Sequence, residues 1–177
     1  MKNWGKELVG LVLYLALVFG IAFLLSRVMF QKVQVDGVSM EPTLEDKQQL
    51  LVNKMSYHIH KIERFDIVAF KYQYEDNTYY IKRIIGLPGE TVSISEDGVI
   101  RINGKMLKED YGAEIMTDPG LAQNGVKLGE DEYFVLGDNR NNSKDSRNPE
   151  VAAVSKDSII GKAWMCIWPV QSFGMIH

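Results

Sequence analysis

The chain has 177 residues, 46% of them hydrophobic and 24% charged, which is enough for one folded domain and a short additional element. The net charge of −3 divides unevenly: Lys2, Lys6 and Arg27 against Glu7 give residues 1–30 a charge of +2, which leaves −5 for the rest. An acidic domain lacks the basic surface that nucleic-acid binding needs. A single cysteine excludes an internal disulfide, and three histidines without a Cys-x-x-Cys or His-Glu-x-x-His motif lead us to predict no metal site and no cofactor.

The first predicted element is a membrane-spanning helix. Residues 8–25 contain no charge, and with the apolar residues up to Phe30 the segment reaches the roughly 20 residues that cross a bilayer. A cleavable signal peptide would have a shorter apolar region and a better cleavage site than residues 26–29 offer. A buried core helix would have a polar face, and this segment has none. The flanking charges barely discriminate between the two orientations.

Beyond the anchor, the sequence predicts a mostly β domain, arranged as a barrel or a sandwich. Short runs rich in β-branched and aromatic residues are separated by turn sequences such as Asp97-Gly98 and Asn103-Gly104. The predicted strands are residues 32–35, 66–70, 79–85, 91–94, 99–102 and 133–136.

Helical signals in this domain are few. Residues 42–47 predict a short helix, residues 155–158 predict a single helical turn, and residues 110–130 predict a loop or flap. We therefore expect a small insertion of hairpins and loop at about residues 91–130. Near the C-terminus, Trp164, Trp168 and Phe173 fit either core packing or contact with the membrane interface.

Two segments carry residues with chemical potential. Ser39 follows a glycine-containing bend and precedes Pro42, so its hydroxyl can project and its N–H can point at a neighbouring oxyanion. Such a serine is common in ordinary turns. Lys82 lies among isoleucines on a predicted strand, where it and Arg83 face opposite sides, so one of the two should point inward. A buried lysine has a lowered pKa and can act as a base, whereas an outward one is the polar half of an alternating strand.

The third segment runs from Gly137 to Arg147 and follows a predicted strand. It reads Gly-Asp-Asn-Arg-Asn-Asn-Ser-Lys-Asp-Ser-Arg, which as composition alone describes a solvated loop. Asp145 and Arg147 lie two residues apart and could form ion pairs beside a site at the strand end.

Taken together and in this order behind an anchor, these segments resemble the bacterial type I signal peptidases. The resemblance rests on a Ser-Met-x-Pro-Thr-Leu box at residues 39–44, a Gly-Asp-Ile/Val-Val-x-Phe-like box at residues 66–70, a Lys-Arg-x-x-Gly-x-Pro-Gly box at residues 82–89 and the Gly-Asp-Asn box at residues 137–147. It extends from the anchor to Gly161, and the small size with one anchor is similar to the Gram-positive short form.

The resemblance implies a membrane-bound serine endopeptidase that removes signal peptides from exported preproteins after a small residue. Ser39 would be the nucleophile, donating its N–H to the oxyanion, and Lys82 the general base. The implied supporting residues are Ser143, which would orient the Lys82 amine, and a structural ion network of Asp145, Arg83 and Arg147 with Asp138.

For the substrate, the resemblance implies shallow pockets and an extended conformation. The pockets for the −1 and −3 side chains would be lined by Met40, Leu44, Tyr80 and Ile81. The substrate would pair with residues 32–36 and 80–84 by strand addition.

The same resemblance implies the chain's place in the membrane. Residues 1–30 would be a cytoplasmic stub and single-pass anchor, and residues 31–177 an extracytoplasmic peptidase domain. Expected partners are the signal peptides of preproteins, the lipid bilayer and the secretion translocon, and not nucleic acid.

Some positions depart from the family pattern, and other readings compete with this one. Phe65 stands where the family usually has glycine, and Gly37 stands where Gram-negative members have a hydroxyl residue that completes the oxyanion hole. The alternatives are a Ser-Lys protease with a different biological role and an inactive β domain that binds peptides without cleaving them. His58 and His60 are predicted to be surface or loop residues.

Overall fold

The described part of the chain starts with a long apolar helix. The structure, a computed structural model, describes residues 4–74 and 78–176; Lys2 and His177 lie outside these ranges. Helix α1 spans Trp4–Met29, and its segment Glu7–Met29 is long and apolar enough to cross a membrane. The described side chains of this segment are exposed rather than packed on the domain. The predicted apolar helix is confirmed.

In the residues that the structure describes, twelve strands and one short helix follow α1. They are β1 Phe30–Gln34, β2 Gln49–Asn53, α2 Ser56–Ile59, β3 Ile67–Lys71, β4 Tyr79–Gly86, β5 Thr91–Ile94, β6 Ile100–Ile102, β7 Lys105–Met106, β8 Val126–Lys127, β9 Glu132–Leu136, β10 Val154–Ser155, β11 Ile159–Trp168 and β12 Gly174–Met175. Single 3₁₀ turns span Gly120–Asn124, Lys156–Ser158 and Val170–Ser172.

The strands form one large and one small antiparallel sheet. The eight-stranded sheet has the order β1-β2-β11-β3-β4-β9-β10, with β12 paired to β11. The four-stranded sheet has the order β7-β6-β5-β8 and contains the predicted hairpins after residue 90. The prediction of a mostly β fold is confirmed; β1 and β10 are the two ends of the large sheet, so the sandwich description fits and a closed barrel does not.

Strand β11 lies at the centre of the large sheet, between β2 and β3, although the sequence analysis assigned no strand there. Its first half pairs with β3 and its second half with β2, and the register shifts three times along it. Gly161 is required at the crossing, because a Cβ there would collide with the backbone of Asn53. Strand β11 therefore connects the β1-β2 part of the large sheet to the part formed by β3, β4, β9 and β10.

In the described part of the chain, β1 and the first half of β4 each pair with a single strand. β1 pairs with β2 on one side only. In β4, residues 79–83 pair with β3, but β9 reaches only residues 83–86 on the opposite side. The pairing with β9 therefore begins at Arg83 and does not extend to Tyr79–Lys82.

Three local expectations have definite outcomes. The predicted helix at residues 42–47 is wrong: the segment forms turns, because antiparallel β1 and β2 require the chain to reverse direction, and the Lys47 N–H returns to the Val35 carbonyl at 2.9 Å. The turn predicted at residues 155–158 is confirmed as a 3₁₀ turn capped by Ser155. The predicted flap contains the turn Gly120–Asn124 and strand β8.

The aromatic residues near the C-terminus divide between the two readings. Trp164 stacks on Phe30 at the end of α1, with ring centroids 5.3 Å apart. Trp168 and Phe173 are 54% and 62% exposed. The first residue is therefore part of the packing that joins helix to domain, while the other two face outward.

Candidate active site

Ser39 lies in the loop that joins β1 to β2. Two buried side chains, Met40 and Leu44, tie this loop to the core cluster formed by β1, β2, β4 and β11. The Ser39 hydroxyl is 2.7 Å from the Nζ atom of Lys82, and the Ser39 N–H has no hydrogen-bond acceptor among residues 4–74 and 78–176. The nucleophile predicted from the sequence thus has a base at hydrogen-bond distance and an available amide donor.

Lys82 reaches Ser39 from the open half of β4. It is 4% exposed, donates a hydrogen bond to the Ile81 carbonyl at 3.1 Å and lies 5.3 Å from the centre of the Tyr80 ring. Burial lowers the pKa of Lys82 to about 8, an effect that the negative charges of Asp145 and Asp138 oppose. About half of this amine is therefore unprotonated at pH 8, and about a tenth at pH 7, and this neutral form can accept a proton.

The neighbouring Arg83 is also buried, so both cations, and not just one of them, point into the protein. Its side chain is on the opposite face of β4 and binds both oxygens of Asp138, at 2.9 and 2.7 Å. Asp138 accepts a further hydrogen bond from Thr43 at 2.6 Å, which connects this ion pair to the Ser39 loop. Arg83 also stacks 3.6 Å above the Tyr111 ring. A strand covered on both faces buries both cations, and each then needs its own partner.

Asp145 is bound by Arg147 and not by Arg83. Arg147 donates to both carboxylate oxygens at 2.8 Å, and the Gly137 N–H donates to one of them at 3.1 Å. The single ion network expected around Asp145 is therefore two separate ion pairs. In both pairs the carboxylate is hydrogen-bonded to a guanidinium, and neither carboxylate contacts the Lys82 amine.

Ser143 and the Ser39 backbone both pack against Gly137. A Cβ at Gly137 would collide with both the Ser143 hydroxyl and the Ser39 carbonyl, which shows how closely the three residues pack. The Ser143 Oγ is buried and has no hydrogen-bond partner in the described ranges. The structure shows no hydrogen bond from Ser143 to Lys82, and its orienting role stays a prediction.

A cleft of about 220 Å³ opens beside Ser39 and Lys82. Three of the four residues predicted to line substrate pockets border it: Met40, Tyr80 and Ile81. Leu44 does not border this cleft and packs with Met40 in the core cluster. The fourth assignment is therefore corrected to a packing role. His58 and His60 are exposed and border no part of this cleft, as expected.

The structure adds positioning residues to which the sequence analysis gave no role. Asn139 donates its N–H to the Ser39 carbonyl at 3.1 Å and its amide to the Val38 carbonyl at 3.2 Å. Thr43 and Gly137 were inside quoted motifs, but a motif does not say which atoms meet. Lys144 also belongs to the Gly-Asp-Asn box, and it borders the cleft.

These features define a class: a serine peptidase that uses a lysine in place of histidine, attached to an apolar helix. Comparison with known proteins agrees. The family model described as "Signal peptidase, peptidase S26" matches residues 8–168. A probable signal peptidase I-2 from Synechocystis is 40% identical over 80% of this chain and 65% of its own length. Signal peptidase I P from Bacillus subtilis subsp. natto is 37% identical over 96% of this chain and 90% of its own length.

A solved structure belongs to the same group. The crystal structure of a signal peptidase I from Enterococcus faecalis is 38% identical and covers 58% of this chain and 97% of that chain, with a TM-score of 0.48. The chain belongs to the signal peptidase family, peptidase S26. Its apolar helix α1 makes it a membrane-anchored member.

Proposed function

We propose that this protein cleaves signal peptides from exported preproteins, with Ser39 as nucleophile and Lys82 as general base. The observation that carries the proposal is the 2.7 Å contact between the Ser39 hydroxyl and an amine whose pKa is about 8. As Oγ attacks the scissile carbonyl, the neutral amine takes the hydroxyl proton and later gives it to the leaving amine. Water then hydrolyses the acyl-enzyme, again with Lys82 as base. The Ser39 N–H stabilises the oxyanion.

The proposed substrate conformation follows from the position of the cleft between β1 and the first half of β4, which lies beyond the pairing with β9. An extended peptide lying between them gains backbone hydrogen bonds from both strands. Its −1 side chain enters the part of the cleft lined by Met40 and Ile81, where a packed wall admits Ala, Gly or Ser. A peptide with Phe at −1 should be cut far more slowly than its Ala counterpart.

We assign the supporting roles as follows. The Arg83–Asp138 and Arg147–Asp145 pairs hold the two loops around Ser39 and keep the carboxylates from Lys82. Ser143, whose hydroxyl is unused, supplies a hydrogen bond to the amine when Lys82 turns toward it.

The proposed arrangement in the cell places residues 1–30 as a cytoplasmic stub and anchor, and residues 31–177 outside. Preproteins present their cleavage sites on the outer side, where the translocon delivers them. Strand β1 follows α1 without a linker, and the Lys54 N–H donates to the Met29 carbonyl at 2.9 Å, so the domain stays next to the bilayer that holds its substrate.

The test is cleavage of a purified preprotein by the detergent-solubilised full chain, followed by sequencing of the new N-terminus. We expect one cut after a small residue, and no cut with Ser39→Ala, which removes a single oxygen from a loop. His58→Ala with His60→Ala is the matched control and should retain activity, since both side chains are exposed and outside the cleft. A folded but inactive double histidine variant would contradict the assignment of the base.

A further inference from the structure

Lys144 follows Ser143 in the chain and borders the cleft. Its ammonium donates a hydrogen bond to the Tyr72 hydroxyl at 2.7 Å and forms an ion pair with Glu150. Tyr72 in turn stacks flat on Tyr80, with ring centroids 4.5 Å apart. Lys144 is therefore held at one wall of the cleft, next to the tyrosine that covers Lys82.

The charges that line the cleft give Lys144 a distinct character. Asp36 is the acidic residue of the lining, and it is bound by Lys47. Lys82 must be neutral to act as a base. Lys144, in contrast, is hydrogen-bonded to Glu150, and this bond raises the pKa of Lys144 and keeps its amine protonated. The side chain is 38% exposed, and two of its three N–H donors are engaged. One donor of this ammonium therefore has no partner among the described residues and can reach a ligand in the cleft.

The alternation of side chains along β4 indicates which substrate positions meet this charge. Ile81 faces the Met40 cluster, whereas Tyr80 and Lys82 face the opposite side, where Lys144 is. In an extended substrate the −1 and −3 side chains point to the Ile81 side. The flanking side chains, at −2 and +1, then point toward Lys144.

We propose that Lys144 is a specificity-determining residue that binds an aspartate or glutamate of the substrate at −2 or +1. This inference rests on the proposed function and refines it. The substrate carboxylate shares the ammonium with Glu150, which is 58% exposed and also accepts a hydrogen bond from the Tyr72 hydroxyl at 3.2 Å. Glu150 thereby tempers the preference, since it competes for the same cation.

The experiment measures kcat/KM of the detergent-solubilised full chain for matched peptides with Ala at −1. At −2, and separately at +1, the peptides carry Asp, Asn or Lys. For the wild type we expect Asp over Asn by about fivefold at one of the two positions at low salt, and less at high salt. Lys144→Met should bring this ratio to about 1, Lys144→Glu should favour the Lys peptide, and Glu150→Gln should increase the Asp preference.

Lys105→Met serves as the matched control, because Lys105 is an exposed lysine on the small sheet, away from the cleft. It should keep the wild-type ratio. A ratio of 1 at both positions in an active wild type, or a ratio that survives in Lys144→Met, would overturn the role of Lys144. Failure of the wild type to cut any of these peptides or a purified preprotein would instead count against the proposed function.

Discussion

At the scale of single residues, the site depends on a lysine buried without a counter-ion. Charged groups are seldom buried unpaired, because the loss of hydration costs more than the fold can usually supply. Lys82 is 4% exposed, and the two nearby carboxylates are each bound to an arginine. The arrangement lowers the pKa of the amine to about 8, which is the property that a general base needs.

The first prediction concerns the pH dependence of cleavage. Because only the neutral amine accepts the Ser39 proton, kcat/KM should rise tenfold per pH unit below about 8 and level off above it. Lys82→Met and Lys82→Arg should both lose turnover by at least about 10³-fold, since neither offers a neutral amine. Initial rates across pH 6–10 check this. Substantial activity in Lys82→Arg would mean that another residue is the base.

The second prediction concerns stability. The folded pKa of Lys82, about 8, lies below its ordinary 10.5, so between these values the unfolded chain binds more protons and stability rises with pH. Lys82→Met lacks this dependence. Its stability advantage over the wild type should be fully present below pH 8 and should shrink by about 3 kcal/mol as pH approaches 10.5, at about 1.36 kcal/mol per pKa unit.

Urea unfolding of the intact chain in detergent, followed by tryptophan fluorescence at pH 7 and pH 10, measures this difference. The Ser39→Ala variant is the control, because it changes the site without removing the amine. A stability difference between Lys82→Met and the wild type that is the same at both pH values would show that folding does not lower the pKa of Lys82.

At the scale of elements, the site is assembled where two loops and one strand meet. The loop after β9 packs against the Ser39 loop through Gly137, while β4 supplies Lys82 from the side. The Asn139 N–H and the Asp138 carboxylate hold the Ser39 loop by hydrogen bonds to Ser39 and Thr43. The position of the nucleophile is therefore set by a neighbouring loop about 100 residues later in the sequence.

The third prediction tests this contact. In Gly137→Ala the added methyl would overlap the Ser39 carbonyl, and a backbone atom cannot move aside as a flexible side chain can. Because small displacements of reacting groups cost large factors in rate, kcat should fall about 10²-fold. Gly174→Ala, where a Cβ meets only open space, is the matched control. A near-normal kcat in a folded Gly137→Ala variant would show that the loop contact does not position Ser39.

At the scale of the whole molecule, helix α1 is exposed along its described length and leads directly into β1, the first strand of the large sheet. The stack of Phe30 on Trp164 and the hydrogen bond from Lys54 to Met29 connect the two parts. An apolar helix of this length is stable in a bilayer, so the cleft operates close to the membrane surface.

The fourth prediction concerns the orientation of the chain in the membrane. We expect residues 31–177 on the outer side, since the scissile bonds of exported preproteins appear there. Protease added to intact protoplasts should digest the domain, and a tag at the N-terminus should stay protected until the membrane is permeabilised. Protection of the domain in sealed protoplasts would argue against the proposed orientation.

Several features of this protein could be predicted from the sequence because their signals are local. An uncharged run over residues 8–25 specifies a spanning helix, and alternation with turn residues predicts strands such as β4, β5 and β9. The motifs around Ser39 and Lys82 indicated the reactive pair, since their residue types and order are specific.

Other features became apparent only in the tertiary structure. Strand β11 carries no simple alternation, because its two halves pair with different strands. The choice of Asp138 as the partner of Arg83 depends on the distance between β4 and the loop after β9, which local patterns do not contain. The same holds for Leu44, which is in the core, and for Lys144, which is at the cleft: sheet order and loop packing decide which residues meet, and both arise from contacts between distant parts of the chain.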